Sequence, residues 1–372
     1  MKIKSAHSTR RTVQAAVDDL RQNLSDVQTS VVLYFASTSY APAALSETMQ
    51  KAFAGATVFG CSTAGEIASG LMLKNSIVAM AFTKAAIKSL KVMLVEQVGD
   101  KKGLKERVVG AMNSFNKSLG VTSLKLDPKR FVGLILIDGL SLAEEAVMET
   151  LGDLTDVSFV GGSAGDDLKF SKTYVFANGK AYANAALLAM VEPATSFEVI
   201  KTQSFCLLGK SLLATEVEEA TRTVVQFNGK SAASAYAQAL GVPVAAVSES
   251  FMNNPLGLMI EDEPFVRSPQ RVENGSMVFY CNIKEGMELA VLESTDMIKD
   301  TRAAIEKAKN GLGGISGVVN FNCILRTLDL EKHGLLDDYG KVFSGVPTVG
   351  FSTYGEEYIR HINQTATMLV FG

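Results

Sequence analysis

The sequence predicts a two-part α/β protein with mixed sheets, built on three β-α-β units and interrupted by a segment rich in antiparallel strands. Two observations carry this prediction. One plan of strand, helix, strand and glycine loop occurs three times within 372 residues, and between the second and third copies the pattern changes to alternating polar and apolar residues. Continuous apolar strands indicate burial on both faces, which favours stacked sheets flanked by helices. We place a domain boundary near residue 215, between the parts 1–215 and 216–372.

The first copy begins with a β-branched and aromatic run, Val31 to Phe35, which is typical of a buried strand. A helix from about Pro42 to Phe53 follows, with the proline suited to its first turn. Ala56 to Phe59 is a second strand, and it ends in the loop Gly60-Cys61-Ser62-Thr63-Ala64-Gly65-Glu66. Ser76 to Phe82 is the strand that returns after this loop.

The second copy repeats the plan with Phe131 to Ile137 as its first strand. Ser141 is predicted to cap the next helix because Glu144 follows at the spacing of a capping box. The strand Val157 to Val160 runs into Gly161-Gly162-Ser163-Ala164-Gly165-Asp166, and Tyr174 to Phe176 is the predicted return strand.

The third copy begins with the strand Val318 to Phe321, and the stretch Ile324 to Leu336 is predicted to be helical in part. Pro347 to Val349 then leads into Gly350-Phe351-Ser352-Thr353-Tyr354-Gly355-Glu356, and Thr365 to Phe371 is the return strand. Because β-α-β connections place parallel strands side by side, the three loops should occupy equivalent places at the carboxyl ends of their strands.

The segment between the second and third copies, from about 197 to 292, is predicted to be mainly antiparallel. It alternates from Phe197 to Phe227, turns at Asn228-Gly229 and enters a helix from about Ser231 to Leu240 that Gly241 stops. Further strands are predicted at Leu256 to Ile260, Met277 to Cys281 and Met287 to Leu292. A charged amphipathic helix, Asp296 to Asn310, is expected to end at Gly311.

Composition excludes several classes of protein. Lys and Arg total 36 against 39 Asp and Glu, so a net charge of −3 provides no positive field for nucleic acid. The 4 cysteines form no CxxC motif, which fits a reducing compartment. No apolar stretch approaches the roughly 20 residues that span a bilayer, and no signal-peptide core follows the basic N-terminus. We therefore expect a cytoplasmic protein without nucleic-acid or membrane partners.

The three glycine loops are the first candidate binding site. Glycines beside hydroxyl residues expose main-chain N–H groups that hold anions, whereas the alternative interpretation is three tight turns whose acids bind their own N–H groups. Three equivalent loops favour a shared cleft at the strand ends. The candidate ligand-binding residues in the loops are Ser62, Thr63, Glu66, Ser163, Asp166, Ser352, Thr353 and Glu356.

The alternating segment around Asn320 and Asn322 is a second candidate part of the binding site. Its alternation directs both amides to one face, and Arg326 follows four residues after Asn322. A guanidinium there suits a ligand carboxylate, and pairing of Arg326 with a structural acid is the equally weighted alternative. Arg267 has the same ambiguity.

Gly161 to Gly165 also matches the G-x-S-x-G pattern of serine hydrolases, with Ser163 as the nucleophile. The context argues against it, because such a serine needs a helix directly after it and a histidine such as His333 or His361 within reach. Among the histidines, His361 is the candidate metal ligand, although a lone histidine is more often structural. A three-ligand catalytic zinc is disfavoured by the absence of paired histidines.

Taken together, the three loops, Asn228-Gly229-Lys230-Ser231-Ala232, Asn320-x-Asn322-Cys323-x-x-Arg326 and Asn363-Gln364-Thr365 resemble the FIST family of bacterial sensory proteins, with an N-terminal and a C-terminal FIST part. The resemblance covers nearly the whole chain, from about Val31 to Gly372. It implies an intracellular sensor and not an enzyme. It also implies a separate signalling partner, such as a histidine kinase or a diguanylate cyclase or phosphodiesterase.

The resemblance to stand-alone members implies haem-based sensing of nitric oxide, with His361 as the axial ligand and Tyr358 and Cys323 as the other candidates. The alternative is a sensor of amino acids or small metabolites, for which Arg326 or Arg267 would hold a carboxylate and the loop acids an ammonium group. A module that binds other proteins and no ligand is the third interpretation.

Overall fold

The computed structural model describes residues 2–119 and 126–372. The chain divides into two compact units. Unit 1 comprises Met1–Thr202, Thr301–Arg360 and Ala366–Gly372, and unit 2 comprises Gln203–Asp300 and His361–Thr365. Unit 1 contains three copies of one order of elements, in agreement with the repeat that the sequence predicts.

Copy 1 follows the order strand, helix, strand, helix, strand, hairpin and return strand. Its elements are β1 (Ile3–Ser8), α1 (Val13–Asn23), β2 (Val31–Ser37), α2 (Pro42–Ala52), β3 (Thr57–Thr63), β4 (Glu66–Ala68), β5 (Leu71–Leu73) and β6 (Ile77–Phe82). Thr12 caps α1 by accepting a hydrogen bond from the Ala15 N–H at 3.3 Å. Pro42 occupies the first turn of α2, as predicted.

Copy 2 has the same order. Its elements are β7 (Ile87–Glu96), α3 (Leu104–Leu119), β8 (Val132–Ile137), α4 (Glu144–Leu154), β9 (Phe159–Ser163), β10 (Val175–Ala177), β11 (Lys180–Tyr182) and β12 (Ala185–Pro193). Two predictions for this copy are wrong. Ser141 donates to the Asp138 carbonyl at 2.7 Å and Ala143 precedes α4, so Ser141 is not the cap. The predicted return strand at Tyr174 to Phe176 is instead the first strand of the hairpin, and β12 returns.

Copy 3 opens with β13 (Phe197–Gln203), after which the chain forms unit 2. The elements of unit 2 are β14 (Phe205–Glu218), β15 (Thr223–Phe227), β16 (Lys230–Ser231), α5 (Ala232–Leu240), α6 (Val247–Ser250), β17 (Leu256–Ile260), β18 (Glu263–Arg267), β19 (Pro269–Glu273), β20 (Ser276–Phe279) and β21 (Glu288–Ser294), with 3₁₀ turns at Glu219–Thr221 and Val244–Ala246.

The strands of unit 2 pair antiparallel in the order β18-β17-β21-β14-β15-β20-β19, with β16 beside β15. Asn228 and Gly229 have φ of 52° and 71°, the left-handed values that a two-residue hairpin turn requires. Gly241 ends α5 with φ of 74°, as predicted. Side chains of α5 pack on this sheet around Phe227 and Tyr236 and form a core within unit 2.

The rest of copy 3 is α7 (Met297–Leu312), β22 (Gly317–Cys323), α8 (Ile324–Lys332), α9 (Leu336–Lys341), β23 (Thr348–Thr353), β24 (Glu356–Tyr358), β25 (Arg360–Ile362) and β26 (Thr365–Phe371). The prediction that Gly311 ends the helix is wrong, because α7 continues to Leu312 and Gly313 takes the left-handed conformation with φ of 72°.

Each copy supplies four neighbouring strands of one mixed sheet, in the same order. The orders are β1-β6-β2-β3, β7-β12-β8-β9 and β13-β26-β22-β23. In each sheet the last two strands of this order are parallel, and their register pairs equivalent residues: Tyr34 with Gly60, Ile135 with Gly161 and Asn320 with Gly350. The strands before the three loops therefore occupy equivalent places, and the predicted α/β class with mixed sheets is confirmed.

The three sheets exchange their hairpins in a cycle. The strand β4 of copy 1 pairs with β23 of copy 3, β10 of copy 2 pairs with β3 of copy 1, and β24 of copy 3 pairs with β9 of copy 2. Each sheet is therefore completed at one edge by a strand that another copy supplies.

One apolar core lies between the three sheets, and helices cover their outer faces. The central core contains Phe35 of β2, Leu134 of β8 and Phe321 of β22, with their neighbours at alternate positions. The residues between them, such as Tyr34 and Ile135, face α1 and α2 or α3 and α4 in separate outer clusters. This double burial is the predicted arrangement of sheets flanked by helices. None of the described helices is long and apolar enough to cross a membrane.

Candidate functional site

The three glycine loops meet at one place in unit 1. We call residues 60–66 loop 1, residues 161–166 loop 2 and residues 350–356 loop 3. The Gly165 N–H donates to the Ser62 carbonyl at 3.0 Å, the Ser352 N–H donates to the Gly65 carbonyl at 2.8 Å, and the Tyr354 N–H donates to the Ser163 carbonyl at 3.1 Å. Each loop thus contacts both others, as equivalent positions at the strand ends require.

These contacts correct the expectation that the loop N–H groups hold an anion. Those of Gly165, Ser352 and Tyr354 already donate to carbonyls of neighbouring loops. Ser62 is structural as well, because its hydroxyl donates to the Gly165 carbonyl at 2.7 Å and accepts from the Tyr174 N–H at 2.9 Å. These three N–H groups are therefore not available to a ligand.

Glu66 in loop 1 is fully buried and is held by three hydrogen bonds. The Thr63 hydroxyl donates to Oε1. The N–H and hydroxyl of Ser76 donate to Oε2 at 3.0 Å and 2.6 Å. Burial raises the pKa of Glu66 to about 7 in spite of these hydrogen bonds, and the negative charge of Asp167 adds to the rise.

This raised pKa predicts a pH-dependent stability. The pKa is about 7 in the folded protein against 4.5 ordinarily, so the unfolded chain loses this proton first as pH rises. The free energy of unfolding should therefore fall between about pH 4.5 and pH 7, by about 3 kcal/mol from this group. Denaturant titrations across that window should show the fall in the wild type and not in Glu66→Gln. An equal fall in the variant would assign the effect to other groups.

Asp166 in loop 2 organises its own loop. Its carboxylate accepts from the N–H groups of Phe170, Ser171 and Lys172 at 2.7–2.9 Å and from the Tyr354 hydroxyl at 2.5 Å. Burial raises the pKa of Asp166, but the hydrogen bonds outweigh burial and hold the pKa below its ordinary value. Asp166 therefore acts as an anchor of the loop, which is the turn interpretation.

Ser163 is buried between two acids and lacks the surroundings of a hydrolase nucleophile. Its hydroxyl donates to Glu357 Oε1 at 3.0 Å and lies 3.4 Å from Glu144 Oε1. The residues after β9 form no helix before β10, and His333 is exposed at the end of α8. The geometry of a nucleophile on a strand-to-helix turn is therefore absent around Ser163 within the described residues.

Loop 3 joins a buried polar cluster on β22, α8 and α9. The Thr353 hydroxyl donates to Glu356, which repeats the Thr63–Glu66 contact of loop 1. The Ser352 and Thr327 hydroxyls lie 2.7 Å apart, and Asn322 Nδ2 donates to Thr327 at 3.0 Å. Polar side chains at the end of β23 and the start of α8 are thereby connected to Asn322.

Arg326 lies at the centre of this cluster and is 1% exposed. Its Nε donates to Asn322 Oδ1 at 2.9 Å, its Nη2 donates to the Thr301 hydroxyl at 3.0 Å, and the guanidinium lies 5.8 Å from the centre of the Tyr339 ring. Within the described residues it forms no ion pair, and Nη1 has no hydrogen-bond partner. The alternative of a structural acid paired with Arg326 therefore finds no support.

Asn320 adds a second open polar group beside Arg326. Its Nδ2 lies 3.3 Å from the Tyr339 hydroxyl, which donates to Asn322 Oδ1 at 2.9 Å. Asn320 Oδ1 is buried without a hydrogen bond. We call Asn320, Asn322, Arg326, Thr327 and Tyr339 the Arg326 cluster. It presents one open donor and one open acceptor.

A cavity of about 130 Å³ lies next to the Arg326 cluster, and Thr327 belongs to both. Its charged lining residues are Lys74 and Glu331, which pair at 2.6 Å, and Asp167, which accepts from the Thr38 hydroxyl at 2.6 Å. The remaining lining residues are Ala64, Asn75, Leu168, Ile324 and Leu328. Loop 1 and the two residues that follow loop 2 thus meet α8 around a small space with charges of both signs.

Arg267 and His361 lie in unit 2. His361 is 2% exposed, and its carbonyl accepts from Arg267 Nη1 at 3.1 Å. A second cavity of about 340 Å³ in unit 2 is lined by Lys210, Lys230 and neighbouring residues and does not include His361. No group of three or more described residues of metal-binding type is placed to hold a metal ion.

Neither of the two cavities described above includes a candidate haem ligand. A haem needs a wide apolar slot beside its axial ligand, and the lining residues of these cavities do not include His361, Tyr358 or Cys323. Haem binding stays a prediction. The cavity in unit 1 is also well below the roughly 300–1,000 Å³ of pockets for drug-sized ligands. Cys323 itself is buried directly before α8.

The structure thus brings most of the predicted residues of unit 1 to the meeting point of the loops and to the Arg326 cluster. The sequence patterns do not predict Thr327, Tyr339, Thr301 or Asp167 as site residues. Thr327 had a weak signal, since it follows Arg326 directly, but Tyr339 and Thr301 come from distant helices.

Comparison with known families now identifies this architecture. Residues 30–230 match the FIST N domain and residues 232–358 match the FIST C domain. The chain belongs to the FIST family. FIST domains are sensory domains in signal transduction, so the family that the loop motifs predicted is confirmed, together with its sensory role. The predicted boundary near residue 215 stays a prediction.

One relative of this FIST protein is an uncharacterized protein of Methanocaldococcus jannaschii, 24% identical over 272 residues. The alignment covers 68% of this chain and 51% of the relative, so the chain spans about half the length of that relative. Among solved structures, a cyanuric acid hydrolase from A. caulinodans aligns with 99% of this chain and 98% of its own, at 9% identity and a TM-score of 0.34. A score this low does not establish a common fold.

Proposed function

We propose that this FIST protein is a non-enzymatic sensor of a small metabolite that carries a carboxylate, with Arg326 as the counter-charge. The observation that carries the proposal is a fully buried guanidinium with an open N–H and no acidic partner among the described residues. A buried charge without a partner costs several kcal/mol, so it is retained where an anion binds. An arginine also matches the planar geometry of a carboxylate.

The lining of the neighbouring cavity narrows the class of metabolite. Asp167 provides negative charge for an ammonium group, whereas Glu331 is paired with Lys74, and Thr327 connects the cavity to Asn322 and Arg326. The volume of about 130 Å³ is close to the roughly 150 Å³ of a cavity that holds benzene, so the ligand has few heavy atoms. An α-amino acid meets all three conditions, and this favours the metabolite sensor over the haem sensor.

The remaining parts of the function follow from the sensory family. A sensor without catalysis must pass its signal to another protein, and we propose a histidine kinase or a cyclic-dinucleotide enzyme as that partner. The hydrolase alternative is not proposed, because Ser163 is enclosed by Glu357 and Glu144 and has no histidine partner among the described residues.

A ligand screen tests the proposal. L-Amino acids and short carboxylates should raise the melting temperature in a dose-dependent way, while amines of the same carbon skeleton without the carboxylate should not. Haemin distinguishes the two kinds of sensor. A defined Soret band that His361→Ala abolishes would support the haem sensor and contradict the metabolite proposal. Stabilisation by no small molecule in either arm would favour a module that binds only proteins.

A further inference from the structure

A second buried guanidinium lies in unit 2, outside the site proposed above. Arg267 ends β18 and is 4% exposed. Its Nη1 donates to two main-chain carbonyls, of Val266 at 3.3 Å and of His361 at 3.1 Å. Within the described chain it pairs with no acid, and its Nε is buried without a hydrogen bond. The positive charge is therefore enclosed and uncompensated.

An open carboxamide lies on the segment that contacts Arg267. Asn363 is 1% exposed, and its Oδ1 accepts no hydrogen bond from any described residue. His361, two residues before it, and Gln364, the residue after it, both contact the end of β18: the His361 carbonyl accepts from Arg267, and Gln364 Oε1 accepts from the Ser268 hydroxyl at 2.7 Å. Asn363 therefore lies in the stretch held against Arg267 and Ser268.

Neither open group stabilises the fold as it stands. A buried charge without a counter-ion and a buried amide without a hydrogen bond each carry the free-energy cost of lost hydration. A ligand that accepts from the guanidinium and donates to the amide oxygen offsets both costs at once. The Arg326 cluster contains the same combination, an open N–H on Arg326 and an open oxygen on Asn320.

We propose that Arg267 and Asn363 form a second ligand site, in unit 2, for a small carboxylate that also carries a hydrogen-bond donor, as α-hydroxy and α-amino acids do. The carboxylate binds the Arg267 guanidinium, and the hydroxyl or ammonium group donates to Asn363. The protein then has two sites of the same chemistry, one in each unit. The second site does not depend on ligand binding at Arg326.

The Nε–H resonance of Arg267 reports directly on this site. In protein labelled with ¹⁵N-arginine, its peak is assigned by its loss in Arg267→Lys, and glycolate and glycine are the probes. Both should shift this peak to saturation, whereas ethanolamine, which lacks the carboxylate, should not. The shift should persist in Arg326→Met, so that failure of the Arg326 site and failure of this site are distinguished.

Asn363→Ala keeps the test decisive if Arg267→Lys does not fold, because the Asn363 side-chain oxygen makes no hydrogen bond that the fold would lose. We expect it to weaken glycolate binding roughly tenfold without lowering the melting temperature. The exposed Asn253→Ala, also in unit 2, is the matched control and should bind as the wild type does. The proposal would be overturned if no arginine Nε–H peak shifted with either probe. Enclosed water would then be the hydrogen-bond partner of Arg267 and Asn363.

Discussion

Arg326→Met is expected to abolish ligand binding while leaving the protein at least as stable as the wild type. The substitution removes the charge that compensates the ligand carboxylate, so affinity should fall roughly 100-fold or more. The same substitution removes a buried charge with no acidic partner in the described chain, and an apolar side chain of similar length fills its place. The free energy of unfolding should stay unchanged or rise by up to about 4 kcal/mol.

This test is specific because Arg326→Met is expected to lower ligand affinity without lowering stability. Calorimetry with the best ligand of the screen measures the affinity, and denaturant unfolding measures the stability. Arg302→Met is the matched control, because Arg302 lies exposed on α7 next to Thr301. A loss of several kcal/mol of stability in Arg326→Met would show that the guanidinium supports the fold and is not kept for a ligand.

Gly161→Ala is expected to have the largest effect on stability. Its added Cβ would lie 1.8 Å from the Ile135 carbonyl oxygen, which belongs to the neighbouring parallel strand and cannot move aside alone. The equivalent glycines have the same constraint, with 1.7 Å from Gly60 to the Tyr34 oxygen and 2.1 Å from Gly350 to the Asn320 oxygen. Overpacking of this kind should lower the free energy of unfolding by about 3 kcal/mol or more.

Gly152→Ala provides the control for this prediction. Gly152 lies inside α4, and nothing lies within 4 Å of an added Cβ. Alanine is the better helix former, so this variant should gain about 0.5–1 kcal/mol. Equal stability of the two variants in a denaturant titration would mean that the loop glycines are not needed for the close approach of the strands.

The sequence predicts the three strand-helix-strand copies because their signal is local. Runs such as Val31 to Phe35 are apolar at every position, and each is followed by a glycine loop. The hairpins were not predictable in this way. The strand Glu66–Ala68 has only three residues, and its partner β23 comes from the far end of the chain. Tyr174 to Phe176 was assigned to the wrong role because a short β-type run does not reveal which sheet it joins.

The candidate site was likewise predictable only where its signal in the sequence is local. Alternation in β22 predicts that Asn320 and Asn322 share a face, and both do contact the Tyr339 hydroxyl. Whether Arg326 has an acidic partner depends on residues from α7, α9 and loop 3, which no local pattern brings together. The loop N–H groups were expected to face a ligand because the sequence cannot show that the loops pack on one another.

The cyclic exchange of hairpins also governs when the protein can fold during synthesis. Translation delivers the chain from its N-terminus at roughly 5–20 residues per second, and a domain usually folds once its own residues have emerged. Here the strand Thr57–Thr63 lacks its neighbour on one side until Val175–Ala177 has been made, and Glu66–Ala68 pairs only with its own hairpin strand Leu71–Leu73 until Thr348–Thr353 has been made. The strands made first therefore keep unpaired main-chain N–H and C=O groups at their edges until the later strands are made. The three sheets of unit 1 can therefore be completed only once the strands of copy 3 have left the ribosome.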